Sequence, residues 1–288
     1  MNEQEYIKSL LNNKSLRDFI FSNLRQSLSS IGFSQNLIDD LVLNLKDLNV
    51  VEFGKNHNEE LRQVYNVGFF QKIVPTYFSQ YVVPATPAVE KIMDVGCGTG
   101  ILPKLYSENK KFKNILGIDI NSYPEWKIFK NSNTDFLVVK EKNFIDFLRK
   151  EKPDSIVLTW TLHHMEYDEQ ERYLDYIYKT LKINSHVVVL EDSYSSILKP
   201  ESGFKIYTQF MSWGENDRKK IMSVYDWVAN RVLAQRNKVP IPFGYRTLEE
   251  WEDLFKKIGF TIESKKFIGF PSGRDINTPQ GLIILKKI

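Results

Sequence analysis

Lys91-Ile92-Met93-Asp94-Val95-Gly96-Cys97-Gly98-Thr99-Gly100 is the stretch on which the reading of this chain turns. Ile92, Met93 and Val95 read as the end of a strand buried on both faces. The loop after it is G-x-G-x-G, and a helical pattern follows with Ile101, Leu102 and Leu105 on one face. Strand, glycine turn and helix is the unit that brings a ligand against bare backbone in nucleotide-type α/β folds. Glycine suits the turn because it accepts positive φ and leaves room for the ligand. Asp94 sets a carboxylate at the strand tip. Ile115-Leu116-Gly117-Ile118-Asp119 is a second short apolar strand ending in an acid. It lies about 20 residues on, where a carboxylate accepts hydrogen bonds from ribose hydroxyls.

Three readings of the loop compete. A lone glycine motif is weak evidence, and a tight strand-to-helix turn explains it without any ligand. A dinucleotide site wants G-x-G-x-x-G, and its third glycine would fall on Ile101. S-adenosylmethionine (SAM) has an adenosine but no pyrophosphate. It needs close backbone approach and an acid, such as Asp94, near its ammonium and sulfonium.

Asp94-Val95-Gly96-Cys97-Gly98-Thr99-Gly100 resembles the first motif of class I SAM-dependent methyltransferases, and Gly117-Ile118-Asp119 resembles the second. Two later segments agree. Asp154-Ser155-Ile156-Val157-Leu158-Thr159-Trp160-Thr161-Leu162-His163-His164-Met165 is similar to the fourth strand and "LHH" turn of ubiquinone/menaquinone-type methyltransferase domains. Leu181-Lys182-Ile183-Asn184-Ser185, followed by His186 to Leu190, resembles the "LKPGG" turn and fifth strand, without the usual proline and glycines. The resemblance covers residues 88 to 192 well and the C-terminal end loosely. It implies a Rossmann-like seven-stranded α/β sheet, mostly parallel with an antiparallel last strand. An N-terminal helical segment (residues 1–87) and a helical cap insertion (about 193–246) are added to that core.

The resemblance also implies site residues. Asp94, Gly96, Gly98 and Asp119 are expected to hold SAM, with Cys97, Gly100, Ile120 and Thr159 beside them. Glu141 falls where the family often places an acid against the adenine amino group. A solvated loop charge is the alternative, since Lys140 and Lys142 flank it. Asn143 and Phe144 follow, the latter as an apolar wall or a backbone donor for adenine. The Trp160-Thr161-Leu162-His163 run is also similar to plant-type small-molecule O-methyltransferases, whose general-base histidine maps onto His163. His164 is its neighbour and rival. The alternative is a structural turn, one imidazole bonding backbone and the other packing.

Composition bounds the rest. The 288 residues suffice for one large α/β domain with attachments, and 42% hydrophobic residues support a real core. A net charge of +3 gives no general argument for nucleic acid. The single cysteine, Cys97, permits no intramolecular disulfide and fits a reducing cytosol, so a cytoplasmic protein is expected. No apolar run approaches a membrane span. The four histidines, His57, His163, His164 and His186, are too scattered to argue for a metal, and none is expected. Without Asn/Asp-Pro-Pro-Tyr after the fourth strand, amino methylation of DNA bases is disfavoured.

The N-terminal residues read as helices, the third carrying Leu37, Ile38, Leu41, Leu45 and Leu48 behind a Ser34 cap. They are expected to form an N-terminal helical subdomain, with a lid over the cofactor cleft or a homodimer surface as the functional alternative. Residues 193–246 are rich in aromatics, and an apolar pocket with few polar groups is the usual small-molecule site. Trp160, Glu191, Tyr207, Trp213, Tyr225 and Tyr245 are the expected substrate contacts. The alternative is that the rings form the insertion's own core. Thr247-Leu248-Glu249-Glu250 is a capping box opening a helix that stops at Gly259. Residues Thr261 to Phe270 and Gly281 to Lys287 read as the final strands, with Pro271-Ser272-Gly273-Arg274 as loop between them.

The expectation is a SAM-dependent methyltransferase acting on oxygen, or second on carbon, of a small, partly apolar molecule, such as a secondary metabolite in biosynthesis. A non-catalytic SAM-binding or partner-binding protein, an RNA or protein methyltransferase, and an NAD-dependent oxidoreductase are the rivals.

Overall fold

The computed structural model describes residues 3–47, 50–271 and 278–288. The expected Leu48 contact and the Ser272, Gly273 and Arg274 loop lie outside these residues. Among the described residues no helix is long and apolar enough to cross a membrane.

The chain opens with helices α1 (Glu3–Leu11), α2 (Lys14–Ser30), α3 (Gln35–Asp47), α4 (Val50–Asn56) and α5 (Asn58–Leu61). A π-helical stretch, Arg62–Ile73, and α6 (Val74–Ala85) follow. Ser34 Oγ accepts the Leu37 N–H at 3.3 Å, as its capping role requires. Pro84 sits inside the last turn of α6, so the proline ends the helix without breaking it early.

Strands and helices then alternate. They are β1 (Lys91–Val95), α7 (Ile101–Ser107), β2 (Asn114–Asp119), α8 (Trp126–Phe129), β3 (Thr134–Val138), α9 (Glu141–Glu151), β4 (Ser155–Thr159), α10 (Tyr167–Thr180) and β5 (His186–Asp192). Helices α11 (Phe204–Met211) and α12 (Glu215–Trp227) and a π-helical stretch, Val228–Leu233, come next. Helix α13 (Leu248–Ile258), β6 (Thr261–Gly269) and β7 (Gln280–Lys286) complete the chain. Thr247 and Glu250 form the expected reciprocal cap, and Gly259 closes α13 at φ 113°.

The seven strands form one sheet in the order β3-β2-β1-β4-β5-β7-β6. β1 to β5 pair in parallel, with Asp94 opposite Gly117 on one side and Val157 on the other. β7 enters antiparallel between β5 and β6. The start of β5 meets the end of β7, where Asn184 N–H donates to Lys287 O at 2.7 Å and Lys287 N–H donates to Ser185 O at 2.9 Å. The fully apolar runs Ile156–Leu158 and Val187–Leu190 are buried because helices cover both faces of a parallel sheet. The strand order reverses between β1 and β4, and open α/β sheets bind ligands at the carboxyl ends beside that reversal.

The chain divides into two compact units. One comprises Met1–Ile73, Lys199–Tyr245 and Ile268–Gln280; the other comprises Val74–Leu198, Arg246–Phe267 and Gly281–Ile288. In the first, α12 packs on α1 and α2, and Arg231 grips Glu3 with two nitrogens at 2.9 and 2.7 Å. The second unit holds the sheet from β1 to β5 and the strand-end loops.

Candidate active site

Two strand-to-helix turns stand at adjacent strand ends of the second unit. The first follows β1. Gly96, Gly98 and Gly100 all adopt positive φ, at 74°, 53° and 85°. Gly96 and Cys97 donate their N–H groups to Ile118 O at 2.8 and 3.1 Å, tying the turn to β2. The three glycines serve different ends. A Cβ on Gly100 would lie 2.5 Å from the Phe136 ring, and one on Gly96 would lie 3.0 Å from Thr161 Oγ1. One on Gly98 would meet nothing within 4 Å. Gly98 is therefore the glycine of the loop that fronts open space.

Asp119 ends β2 and turns back on that loop. Its Oδ2 accepts the Gly98 N–H at 3.0 Å, and its Oδ1 accepts the Asn121 N–H at 2.9 Å. Trp126 donates its indole N–H to Gly98 O at 2.8 Å. Asp94 is 1% exposed, and among the described residues neither carboxylate oxygen has a hydrogen-bond partner. Burial, with the Asp119 charge adding to it, pushes its pKa up to about 8. A buried acid without a partner is costly unless something polar or cationic completes it. Burial, with the Asp94 and Asp119 charges adding to it, also raises the Cys97 thiol well above its ordinary value, which disfavours the thiolate that a nucleophile needs.

Ile120 is exposed just past β2, and Lys140 Nζ donates to its carbonyl at 2.7 Å. Glu141 and Asn143 lie exposed in the first turn of α9, while Phe144 is buried and stacks on Tyr173 with ring centroids 4.9 Å apart.

The second turn follows β4 and contains no glycine. Trp160 takes φ 51°, a strained conformation for a bulky residue. Its ring packs on Tyr77 and Phe78 of α6, at 5.9 and 5.1 Å. Glu191, from the end of β5 and 2% exposed, holds the turn. Its Oε1 accepts the N–H groups of Thr161 and Leu162 at 2.9 and 2.6 Å, and its Oε2 meets His163 Nδ1 at 2.5 Å. Thr161 Oγ1 donates to Thr159 O at 3.0 Å, and Thr159 is itself buried. Gln170 Nε2 donates to the carbonyls of Leu162 and Met165, both at 3.1 Å, and Gln170 Oε1 accepts Arg246 Nε at 2.7 Å.

His163 is 3% exposed, and the His164 ring lies 4.2 Å from it. Glu191 already accepts two N–H groups, so it acts as an acceptor at Nδ1 as well. With Glu191 Oε2 accepting at Nδ1, the corresponding neutral tautomer has its lone pair on Nε2.

The remaining expected contacts belong to the first unit. Tyr245 is buried and donates its hydroxyl to Asp226 Oδ2 at 2.7 Å; Asn230 Nδ2 donates to Asp226 Oδ1 at 2.6 Å. Tyr225 is buried, its hydroxyl unpartnered. Tyr207 and Trp213 are half-buried, Trp213 against Phe19 at 5.6 Å. Sequence reasoning singled out neither Trp126 nor Gln170, and it offered Thr161 only as part of a motif. Each acts through a contact made across the fold, and no local pattern marks that.

The methyltransferase domain family matches residues 60–265, and the chain belongs to it. No curated protein matches the chain in sequence. Among solved structures it is similar to the pyocyanin biosynthetic protein PhzM, at 15% identity and a TM-score of 0.51, over 80% of this chain and 61% of that one. It is also similar to Burkholderia thailandensis 1,6-didemethyltoxoflavin-N1-methyltransferase, solved with 1,6-didemethyltoxoflavin and S-adenosylhomocysteine (13% identity, TM-score 0.48, 84% and 88% covered). A Nostoc punctiforme protein proposed as an O-methyltransferase gives 16% identity and a TM-score of 0.46 over 74% of this chain. The chain spans 56% of that protein's length.

Fold and family thus define a class I SAM-dependent methyltransferase. Its cofactor is SAM, and the residues fit it. Gly98 fronts open space, the Asp119 carboxylate ends β2 beside it, and among the described residues buried Asp94 has no hydrogen-bond partner, which leaves it to be completed by a cationic ligand end.

Proposed function

We propose that the protein transfers a methyl group from SAM to oxygen, or second to carbon, of a small, partly apolar molecule, with His163 as general base. One observation carries the reading: a buried histidine whose Nδ1 lies 2.5 Å from a buried carboxylate, at a strand end beside the glycine loop. A base so enclosed suits the reactive group of a small molecule better than a site on a large polymer. The net charge of +3 adds no argument for RNA.

SAM supplies an activated methyl group on its sulfonium. Asp94 pairs with its cationic end, the Gly98 backbone lets the ligand approach, and Asp119 accepts hydrogen bonds from its ribose. Glu191 fixes the His163 tautomer and stabilises the imidazolium that forms. His163 Nε2 would take the proton from the acceptor hydroxyl as the new O–C bond forms and the methyl's S–C bond breaks, its electron pair staying on the sulfur of the departing S-adenosylhomocysteine. Base catalysis of this kind contributes about 10²- to 10⁴-fold. The rest comes from orientation in a water-poor site.

The test is methyl-labelled SAM with a panel of hydroxylated aromatic acceptors, alongside total RNA and protein fractions. Label on a small acceptor, lost in His163→Ala with S-adenosylhomocysteine binding intact, supports the reading. Label entering only RNA or protein would sink the small-molecule part. Tight S-adenosylhomocysteine binding with turnover on nothing would favour a non-catalytic binding protein.

A further inference from the structure

Gly98 is the residue of the glycine loop that faces open space, and glycine is the most conformationally free residue. It is nonetheless held at both ends of its own backbone. Its N–H donates to Asp119 Oδ2 at 3.0 Å, and its carbonyl accepts the Trp126 indole N–H at 2.8 Å. Trp126 is 8% exposed and stacks on Phe136, with centroids 5.3 Å apart and planes 16° off parallel. The same Phe136 ring occupies the space beside two other glycines. A Cβ on Gly100 would come within 2.5 Å of it, and a Cβ on Gly117 within 2.7 Å. The ring pair is thus a floor under the loop, and Gly100 and Gly117 are the sites at which the chain makes room for it.

We propose that Trp126 is a positioning residue for the cofactor. Its indole N–H fixes the Gly98 peptide in the shape that receives SAM, and its ring locks the Phe136 floor below. The donor and the ring have separate parts. The ring fills volume and contributes to folding. The N–H orders one glycine before the ligand arrives, so that less freedom is lost on binding. The inference rests on SAM occupying this loop.

The two parts are separable by titrating S-adenosylhomocysteine calorimetrically into the full chain and its variants, with melting temperatures measured without ligand. Trp126→Phe keeps an aromatic floor and removes the donor. A site-specific β-(3-benzothienyl)alanine in place of Trp126 keeps the bicyclic shape and removes only the N–H. Both are expected to bind S-adenosylhomocysteine about five- to tenfold more weakly, the size of one lost hydrogen bond. The benzothienyl form should melt within a degree or two of wild type. A merely structural tryptophan would do the reverse, lowering the melting temperature and leaving affinity alone. Wild-type affinity in the benzothienyl form overturns the proposal while leaving the cofactor assignment standing. A wild-type chain that binds no S-adenosylhomocysteine overturns both.

Discussion

The turns after β1 and β4 do the same topological work by opposite means. Each carries the chain from a buried parallel strand to a helix at the same edge of the sheet. The first uses residue type. Three glycines take the positive φ values, the Gly96 and Cys97 N–H groups go to Ile118 O, and Asp119 and Trp126 then hold the middle glycine. The second uses a partner. Trp160 is forced to φ 51°, and the Glu191 carboxylate gathers two N–H groups and an imidazole to hold it there. The glycine turn leaves open space for a ligand. The carboxylate turn holds the imidazole proposed above as the base. On the proposed reading, a backbone without side chains suits binding, and an enforced backbone suits a base that must point one way.

The strongest test of that contrast removes the partner. Glu191→Ala leaves two buried N–H groups and His163 without their acceptor. It should cost about 3–5 kcal/mol of stability, read as a large drop in denaturant midpoint. Glu191→Gln separates folding from chemistry. Its amide oxygen can still accept the two N–H groups, but its NH₂ faces Nδ1 and moves the His163 proton to Nε2. Turnover should fall by about 10²-fold or more while S-adenosylhomocysteine affinity stays within twofold, since the base has lost its lone pair. Equal turnover in wild type and Glu191→Gln would mean that the turn is structural only.

The glycine turn breaks differently at each position. Gly100→Ala meets the Phe136 ring at 2.5 Å and is strained at φ 85° besides. A loss of about 2–3 kcal/mol is expected in thermal or chemical unfolding. Gly98→Ala has space for its methyl group and a milder left-handed φ, so about 1 kcal/mol of stability should go. Its larger effect should be on ligand affinity, because the methyl group enters the space that a ligand needs. If Gly98→Ala binds S-adenosylhomocysteine as wild type does, Gly98 does not front the ligand. Asp119→Ala removes the ribose acceptor and the Gly98 N–H partner together, and should weaken binding by about 1–3 kcal/mol.

The smallest expected effect is in pH dependence. Asp94 has a pKa of about 8 in the free protein, and a cationic ligand end favours its charged form. Binding below that pH therefore releases a proton, and affinity rises with pH before levelling off above about 8. Calorimetry near pH 7 in buffers of different ionisation enthalpy should show the release, and Asp94→Asn should abolish it. The sign for folding is opposite. A carboxyl whose pKa rises on folding contributes stability that is complete below its unfolded value of 3.8. That contribution is lost as pH climbs through about 8. An affinity flat from pH 6 to 8 would remove Asp94 from the ligand's surroundings.

The residues by themselves marked the strands, the glycine loop and the acids at strand tips, and their resemblance to class I SAM-dependent methyltransferases carried the sheet topology and the cofactor. The local marks rest on local chemistry: apolar runs of strand length, glycines where φ must be positive, acids at strand tips, and a capping box at Thr247. The sequence marked Glu191 as an acid at a strand end and His163 as a base, but did not pair them. Some 28 residues separate them in the chain, and only the parallel pairing of β4 with β5 brings them to 2.5 Å. The strained Trp160 and the Trp126 hold on Gly98 were hidden for the same reason. Nor could sequence spacing tell that Met1–Ile73 and Lys199–Tyr245 belong to one compact unit. Pairings between distant residues are paid for by closing long loops, and no local pattern records which closures the packed core repays.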